Sequence, residues 1–276
     1  MQSRHVKIPA SLATLVEAEV ARTGHRFDRV VTDALAAHFH LDIHTVFQVS
    51  TSGALVAGVY DREVSVATLL EHGDFGLGTF TGLDGEMIVL DGKAYHADGW
   101  GHVTPSSPDA GAPFAIVTRF TPEQAADLTS IASFADLEAK CDPYRESGNI
   151  FYAIRLDGRF AHIKARAIDP PPPGMKLAEA AKTQHEFTFA DIEGTLVGIW
   201  SPDFSGPFSV AGYHFHFISA DRLHGGHLLD VAAESLRMTI EPLSNFHLAL
   251  PETEAFLKAK IGRDTETVLA AAEHAQ

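Results

Sequence analysis

Four consecutive prolines at residues 170–173 constrain the fold of this chain more than any other sequence feature. Proline has no backbone N–H and a φ fixed near about −65°, so a run of four cannot occupy a helix interior or the centre of a sheet. Such a run is typical of a stiff, extended connector. We therefore predict a domain boundary here, between a domain at residues 42–170 and a second domain at residues 171–276.

Residues 1–41 differ in pattern from the rest of the chain. A short extended segment at residues 6–8 precedes two stretches whose apolar residues recur at helical spacing, and Gly24 separates these stretches. The pattern resembles a ribbon-helix-helix module. Modules of this kind dimerise, and some place paired strands in a DNA groove. Because the strand offers only Arg4 and Lys7 as basic residues, the sequence favours dimerisation over DNA binding.

The chain between residue 46 and the prolines is β-rich, and its pattern predicts two hairpins. Residues 83–95 predict the first, with its turn at Asp91-Gly92. Residues 151–168 predict the second, with a turn at Asp157-Gly158. Helices are predicted at residues 65–72, from residues 121–123 onward, and at residues 134–140.

Beyond the prolines, five short apolar segments predict a small β-barrel or sandwich. These segments are residues 194–200, 206–210, 212–219, 227–232 and 236–241. The tail at residues 252–276 has a mostly helical pattern. The predicted fold class is therefore α+β: a mixed-sheet N-terminal domain with flanking helices, plus a smaller C-terminal barrel-like or sandwich-like domain.

Composition excludes several classes of protein. A hydrophobic content of 45% over 276 residues can fill a core, which argues against disorder. The formal net charge of −15 would repel a phosphate backbone, so the composition disfavours nucleic acid as a ligand. Without a secretory signal pattern or an apolar stretch long enough to span a bilayer, we expect a cytoplasmic protein without membrane contact. Cys141 is the single cysteine, which excludes an intrachain disulfide and fits a small buried apolar residue.

A pair of histidines provides the strongest chemical signal. In a strand at residues 212–217, His214 and His216 project from one face and phenylalanines from the other. His227 begins the next strand after a turn and can join them. Three nitrogen ligands with an open fourth position are typical of catalytic zinc. His224 competes as the third ligand, but it lies in the turn before two glycines, so we favour His227.

A cupin-like barrel is the main structural alternative, since it also binds metal through a His-x-His pair. That pattern expects a glutamate a few residues after the pair. Residues 219–222 read Ser-Ala-Asp-Arg, which weakens this alternative.

With these motifs in place, residues 212–217 together with residues 225–227 resemble the zinc motif of the acetolactate decarboxylases. Four further stretches match that family in the same order. They are residues 72–80, 83–86, 151–158 and 193–195. The resemblance covers about residues 44–273, and the extension at residues 1–41 departs from the family.

The resemblance implies decarboxylation of 2-acetolactate to acetoin and CO2 through a metal-stabilised enediolate, by a zinc-dependent homodimer of acetoin and butanediol biosynthesis. It implies His214, His216 and His227 as ligands of Zn²⁺. It also places further active-site positions at Thr79, Glu86, Arg166 and Glu273. Either glutamate could deliver the proton, and the arginine could hold an anionic oxygen of the substrate. Arg155 is the alternative to Arg166, and Glu252 is the alternative to Glu273.

Two other functions stay open on the sequence. One is a different metal-dependent lyase or isomerase acting on another 2-hydroxy-3-oxo acid. The other is a ligand-sensing, DNA-binding regulator, since a fold does not determine a function. The regulator hypothesis predicts salt-sensitive binding to duplex DNA. The scarcity of basic residues disfavours this hypothesis.

Overall fold

The computed structural model describes residues 6–39, 41–172 and 174–262. Contacts divide the chain into two compact units, Met1–Ile43 and His44–Gln276. The first unit contains two helices, α1 (Ala10–Thr23) and α2 (Phe27–Phe39). Helix α1 ends at Gly24, whose φ of 74° lies in the left-handed region that favours glycine and whose N–H donates to the carbonyl of Val20.

The second unit is built mainly of strands. Its helices are short: α3 (Ser52–Val56), α4 (Val66–His72), α5 (Phe134–Cys141), α6 (Leu177–Ala180) and α7 (Glu254–Lys258). Its strands are β1 (Thr45–Val49), β2 (Val64–Ser65), β3 (Phe75–Thr79), β4 (Glu86–Leu90), β5 (Lys93–Ala97), β6 (Val103–Pro105), β7 (Gly111–Ala112), β8 (Phe114–Thr118), β9 (Gln124–Ile131), β10 (Phe151–Ala167), β11 (His185–Ser201), β12 (Gly212–Ser219), β13 (Gly225–Leu243) and β14 (Asn245–Ala249). The α+β class is confirmed.

A seven-stranded sheet has the order β14-β1-β8-β3-β4-β5-β6. Strand β14, late in the chain, pairs in parallel with β1, so Thr45 lies opposite Asn245. Residues from both sides of the prolines thus share one sheet, and residues 44–276 form one compact unit rather than dividing after residue 170. The described prolines, residues 170–172, lie outside helices and strands, as their chemistry requires.

A five-stranded sheet has the order β10-β11-β12-β13-β9, and β13 pairs with β10 as well. The hairpin predicted around Asp157-Gly158 is wrong, because β10 runs through this dipeptide as one strand of 17 residues. Gly158 serves a close approach: a Cβ there would lie 2.8 Å from Leu236 Cδ2 and 3.0 Å from Ser235 O of the neighbouring β13. Glycine inside a strand often marks such an approach. The Asp-Gly dipeptide is also typical of turns, which is why the sequence predicted a hairpin here.

Two other sequence predictions also need correction. The helix predicted from residues 121–123 is absent, because residues 124–131 form edge strand β9 against β13. The segment at residues 206–210 is not a strand; it follows a 3₁₀ turn at Asp203–Ser205. By contrast, the hairpin at residues 83–95 is confirmed as β4 and β5, and helices α4 and α5 lie where they were predicted.

The two sheets pack against each other through one apolar cluster. In it, Leu77 and Ile88 of the seven-stranded sheet lie with Val197 and Ile199 of the five-stranded sheet, each at most 1% exposed. This layer brings the start of β4 close to β12. Within the described ranges, no helix has the length and apolar character needed to cross a membrane.

A fully buried carboxylate ties three segments together away from this layer. Glu241 of β13 is 0% exposed. It accepts hydrogen bonds from the backbone N and the Oγ1 of Thr121, at 2.7 and 2.8 Å. Its Oε1 also lies 3.2 Å from His44 Nδ1. The carboxylate therefore joins β13 to the segments that precede β9 and β1.

We expect Glu241→Ala to lower the free energy of unfolding by about 3 kcal/mol, because it removes both hydrogen bonds from Thr121 and the carboxylate that lies beside the buried His44. Denaturant unfolding of the whole chain measures this loss. Glu234→Ala is the matched control: Glu234 is an exposed residue of the same strand, and its loss should cost less than about 0.5 kcal/mol. Equal losses in both variants would contradict the assigned role of Glu241.

Candidate functional site

Three histidines meet where β12 pairs with β13. His214 and His216 project from the same face of β12, and His227 of β13 lies directly opposite His216 in the antiparallel register. All three are buried, at 8%, 1% and 5% exposed. Strand alternation and a short turn are enough to assemble this group, so the predicted ligand residues are brought together.

The geometry of the three imidazoles fits a metal ion. One ring nitrogen from each histidine can be chosen so that all lie within 4.8 Å of one another. The Nε2 of His214 is 3.2 Å from Nδ1 of His227, and the three ring centroids are 4.9 to 5.4 Å apart. Neutral imidazole nitrogens are good ligands for zinc and its neighbours in the first transition series. The group could therefore hold one divalent ion.

The tautomer of His216 follows from a hydrogen bond between the two sheets. Its Nδ1 lies 2.8 Å from the backbone carbonyl of Met87 in β4. A carbonyl oxygen only accepts, so Nδ1 carries a proton, and Nε2 is the nitrogen that can act as a metal ligand. A backbone carbonyl behind a histidine is the usual second partner of a metal-ligating imidazole.

A buried ion pair lies beside the histidines. Glu86 begins β4, and its Oε2 is 3.5 Å from His216 Nε2. Its Oε1 is 3.7 Å from Nη1 of Arg166, which is the cross-strand neighbour of His227. Glu86 and Arg166 are 8% and 4% exposed. Because burying charges costs several kcal/mol, buried ionic groups that face a cavity are candidates for function.

A glycine turn delivers Glu86 to this position. Gly85 has a φ of 68°, and a Cβ there would lie 2.1 Å from the carbonyl oxygen of Ala97, so a side chain is excluded on both grounds. Thr79 lies opposite Glu86 on β3 and donates its hydroxyl proton to the carbonyl of Gly85 at 2.8 Å. Thr79 therefore stabilises the turn while its oxygen keeps acceptor capacity toward the cavity.

One cavity is lined by side chains from both sheets. Its polar wall comprises Thr79, Glu86, Arg166, His214 and His227. Its apolar wall comprises Leu55, Leu83, Phe114, Ile168, Leu177 and Val210. The apolar wall was not predicted, since α3, α6 and the loop before β12 carry no motif and hydrophobicity alone does not place them. A chamber with one ionic wall and one apolar wall suits a small anion that must react away from bulk water.

The structure separates the alternative residues from this cavity. Arg155 lies in the other half of β10, where it pairs with Asp157 at 2.7 Å and with Asp91 at 2.8 Å. His224 forms a bridge with His102 and is not part of the three-histidine group. Glu252 is exposed and does not line the cavity. Glu273 lies outside the described residues.

The opposite face of β12 is held by a polar cluster. Tyr213, next to His214, donates its hydroxyl proton to Asp142 at 2.8 Å and accepts from Nε of Arg145 at 2.8 Å. The guanidinium of Arg145 stacks 3.8 Å from the ring centroid of Trp200 on neighbouring β11. Burial raises the pKa of Tyr213 well above its usual range, so the hydroxyl stays protonated. This cluster stiffens the strand that carries two of the histidines.

Comparisons with known proteins identify the family. The family model for alpha-acetolactate decarboxylase matches residues 46–263. The chain is 41% identical over 235 residues to the alpha-acetolactate decarboxylase of Methylococcus capsulatus, covering 84% of this chain and 89% of that one. Against the Bacillus subtilis relative of the same name, identity is 36% over 231 residues, covering 82% and 91%.

Solved structures agree with the sequence comparisons. The crystal structure of alpha-acetolactate decarboxylase from Bacillus subtilis superposes with a TM-score of 0.80 at 36% identity, covering 83% of this chain and 99% of that one. A Staphylococcus aureus protein described as similar to that enzyme superposes equally well at 33% identity, with the same coverage. The chain belongs to the alpha-acetolactate decarboxylase family.

Proposed function

We propose that this protein decarboxylates 2-acetolactate to acetoin and CO2, with zinc on His214, His216 and His227, in acetoin and butanediol biosynthesis. The observation that carries the proposal is a cavity lined by Glu86, Arg166 and two members of the buried three-histidine group, in a chain of this family. The relatives named above carry the same activity in their names. We also propose a homodimer as the working form, as the family resemblance implies.

The reaction requires the cavity to orient the bond that breaks, to stabilise a negative charge and to deliver a proton. The bond between C2 of the substrate and its carboxylate carbon breaks, and the electron pair left on C2 passes into the neighbouring ketone. Negative charge then builds on the ketone oxygen, where it needs stabilisation. One proton must afterwards reach C2 to give acetoin, while CO2 leaves.

Negative charge on the ketone oxygen can be stabilised by a divalent ion held by the three imidazoles, which when bound supplies a Lewis acid for the developing oxyanion. Zinc fits this role because it favours nitrogen ligands and has no redox chemistry. The Met87 carbonyl assists by fixing the His216 ring with its Nε2 toward the group. Preorganised ligands of this kind do not need to reorient during the reaction, which is the main source of electrostatic catalysis.

Arg166 is suited to bind the substrate anion. Its guanidinium is 5% exposed, lies in the cavity wall and belongs to the strand paired with His227. A planar guanidinium can donate two parallel hydrogen bonds to a carboxylate, which orients the bond that breaks. Charge alone would attract the substrate, whereas the fork also fixes its direction.

Glu86 is suited to carry the proton. Its two oxygens lie between Arg166 and His216, so the carboxyl group faces the reacting end of the cavity. A positioned acid of this type delivers the proton directly or through one water molecule. Glu273 remains the second proposed proton carrier. The apolar wall limits competing water around the carbon that receives the proton.

The purified protein should release acetoin from racemic 2-acetolactate. Prior chelation should abolish this release, and added zinc should restore it, because the ketone oxyanion then regains its Lewis acid. Colorimetric detection of acetoin measures the rate. If metal-loaded protein released no acetoin, the proposed substrate would be wrong, and other 2-hydroxy-3-oxo acids would be tested next.

His227→Ala should reduce bound metal to well below one ion per chain, since two imidazoles alone hold zinc far more weakly. His224→Ala is the matched control, because His224 lies only three residues away and outside the three-histidine group. Elemental analysis after dialysis measures metal content without relying on activity. Full metal content in His227→Ala with loss in His224→Ala would reverse the ligand assignment.

Arg166→Lys should lower kcat/KM by roughly 100-fold, because an ammonium group keeps the charge but loses the two-bond geometry. Arg155→Lys makes the same chemical change on the same strand outside the cavity and should change kcat/KM by less than about threefold. Steady-state kinetics at fixed ionic strength compares the two variants. Wild-type kinetics in Arg166→Lys would remove this arginine from substrate binding.

A further inference from the structure

A strained turn at residues 80–86 carries Glu86 to the cavity. Three of its residues have φ in the left-handed region: Gly82 at 79°, Leu83 at 57° and Gly85 at 68°. A residue with a side chain seldom adopts this region, so Leu83 is held there at a cost in free energy. A backbone of this kind persists only where the surrounding structure fixes it. The contacts that fix the turn therefore also set the position of Glu86.

Backbone groups from two other segments bind the turn. The N–H of Gly82 donates to the carbonyl of Tyr60 at 2.7 Å, and the N–H of Gly85 donates to the carbonyl of Ile168 at 2.9 Å. Ile168 directly follows β10, the strand that carries Arg166. The turn is therefore held against the end of the strand that supplies the arginine of the cavity.

One side chain of neighbouring strand β5 also binds the turn. The Nε2 of His96 lies 2.9 Å from the carbonyl oxygen of Asp84. A carbonyl oxygen only accepts, so this nitrogen carries a proton and donates it. The same Nε2 would lie 2.8 Å from a Cβ added at Gly85. The imidazole of His96 therefore lies directly against the backbone that precedes Glu86.

His96 and Ile168 hold opposite edges of one peptide unit. The carbonyl oxygen of Asp84 and the N–H of Gly85 belong to the same planar group, and each is hydrogen-bonded. The next peptide unit is held by Thr79 at the carbonyl oxygen of Gly85. Because glycine permits rotations of the backbone that other residues resist, these hydrogen bonds are needed to fix the residue that follows.

His96 lies on the face of the seven-stranded sheet that is turned away from the cavity. It is directly opposite Met87 in the antiparallel register of β4 and β5, so the two side chains share a face. Met87 belongs to an apolar cluster with Phe80, whose ring lies 4.7 Å from the imidazole in an edge-to-face contact. Glu86 alternates with Met87 and projects from the other face. His96 is not among the described residues that line the cavity, so it can affect the reaction only through the backbone.

We propose that His96 is a positioning residue, whose hydrogen bond to Asp84 keeps the turn in the arrangement that puts the Glu86 carboxyl group between Arg166 and His216. The proposal rests on the proposed function, since it takes Glu86 as the proton carrier. A displacement of about 1 Å at a reacting group can slow a reaction by roughly 100-fold, so the loss of one remote hydrogen bond can be large in its effect. Binding of the substrate and of the metal should change little, because Arg166 and the three histidines belong to the other sheet.

The first test separates the donor from the bulk of the side chain. His96→Leu removes the donor and keeps a similar size, whereas His96→Gln keeps a side-chain N–H donor at a similar reach. In the zinc-loaded full chain, His96→Leu should lower kcat for acetoin release by about 30-fold and change KM less than about twofold. His96→Gln should keep kcat within about threefold of wild type.

The matched control is His102→Leu. His102 is an exposed histidine six residues later in the chain, and it pairs with Asp98 rather than with the turn. Its replacement should leave kcat and KM unchanged. Elemental analysis should give the same metal content for wild type and for every one of these variants, which excludes loss of the ion as the cause of a lower kcat.

A double-mutant cycle tests whether His96 acts through Glu86. In the Glu86→Gln background, His96→Leu should lower kcat by less than about twofold, because the group that His96 positions has already been removed. Steady-state kinetics of the wild type, the two single variants and the double variant complete the cycle.

Hydrogen exchange tests the turn without using activity. In His96→Leu, the backbone amides of residues 82–86 should exchange about tenfold faster than in wild type, and His96→Gln should retain the protection of wild type. The amides of β12 should exchange at the wild-type rate in both variants. If wild type released no acetoin, the proposed function would fail, and the exchange rates would still decide whether His96 holds the turn.

Three results would overturn the proposal. The first is a wild-type kcat in His96→Leu, or wild-type exchange at its turn. The second is an equal loss of kcat in His96→Gln and His96→Leu, which would assign the effect to the packing of the imidazole ring and not to its hydrogen bond. The third is an undiminished effect of His96→Leu in the Glu86→Gln background, which would show that His96 does not act through Glu86.

Discussion

The hydrogen bond from His216 Nδ1 to the Met87 carbonyl is the contact on which the site depends. It joins β12 of one sheet to β4 of the other, directly beside Glu86. The five-stranded sheet alone would supply the three histidines and Arg166, and the seven-stranded sheet alone would supply Glu86 and Thr79. Packing of the two sheets therefore creates the cavity. A change in that packing would separate Glu86 from the histidines even if every strand kept its register.

Local rules were sufficient for the parts of the site that lie close together in sequence. Alternation along β12 predicted that His214 and His216 share a face, and one short turn predicted His227 beside them. Glu86 and Arg166 came from resemblance, because no local rule relates residues of different sheets. Arg155 and Arg166 could not be distinguished while β10 was read as a hairpin. The continuous strand places them in separate halves, and only Arg166 lies opposite His227.

The errors in the predicted fold have a common physical origin. Gly158 was read as a turn because its dipeptide favours turns, but the requirement that excludes a side chain comes from Leu236, 78 residues later. The cap-like residues at 121–123 were read as a helix start, but Thr121 donates to Glu241, 120 residues later. The prolines suggested a boundary, yet β14 returns to pair with β1. Pairings between residues this far apart in the chain cannot be predicted from a short window of sequence.

Two buried glutamates show how similar residues differ in function. Glu241 is enclosed by Thr121 and His44 and is not part of the cavity wall, so its charge serves the fold. Glu86 lines the cavity beside an arginine and a histidine, so its charge is available to a ligand.

The position of charged groups also bears on how an anion binds to a protein with a net charge of −15. Overall repulsion is screened beyond about 10 Å at moderate salt, whereas the guanidinium of Arg166 acts at contact distance in a low-dielectric wall. Binding of an anionic substrate is therefore governed by the few groups at the base of the cavity and not by the charge of the whole chain.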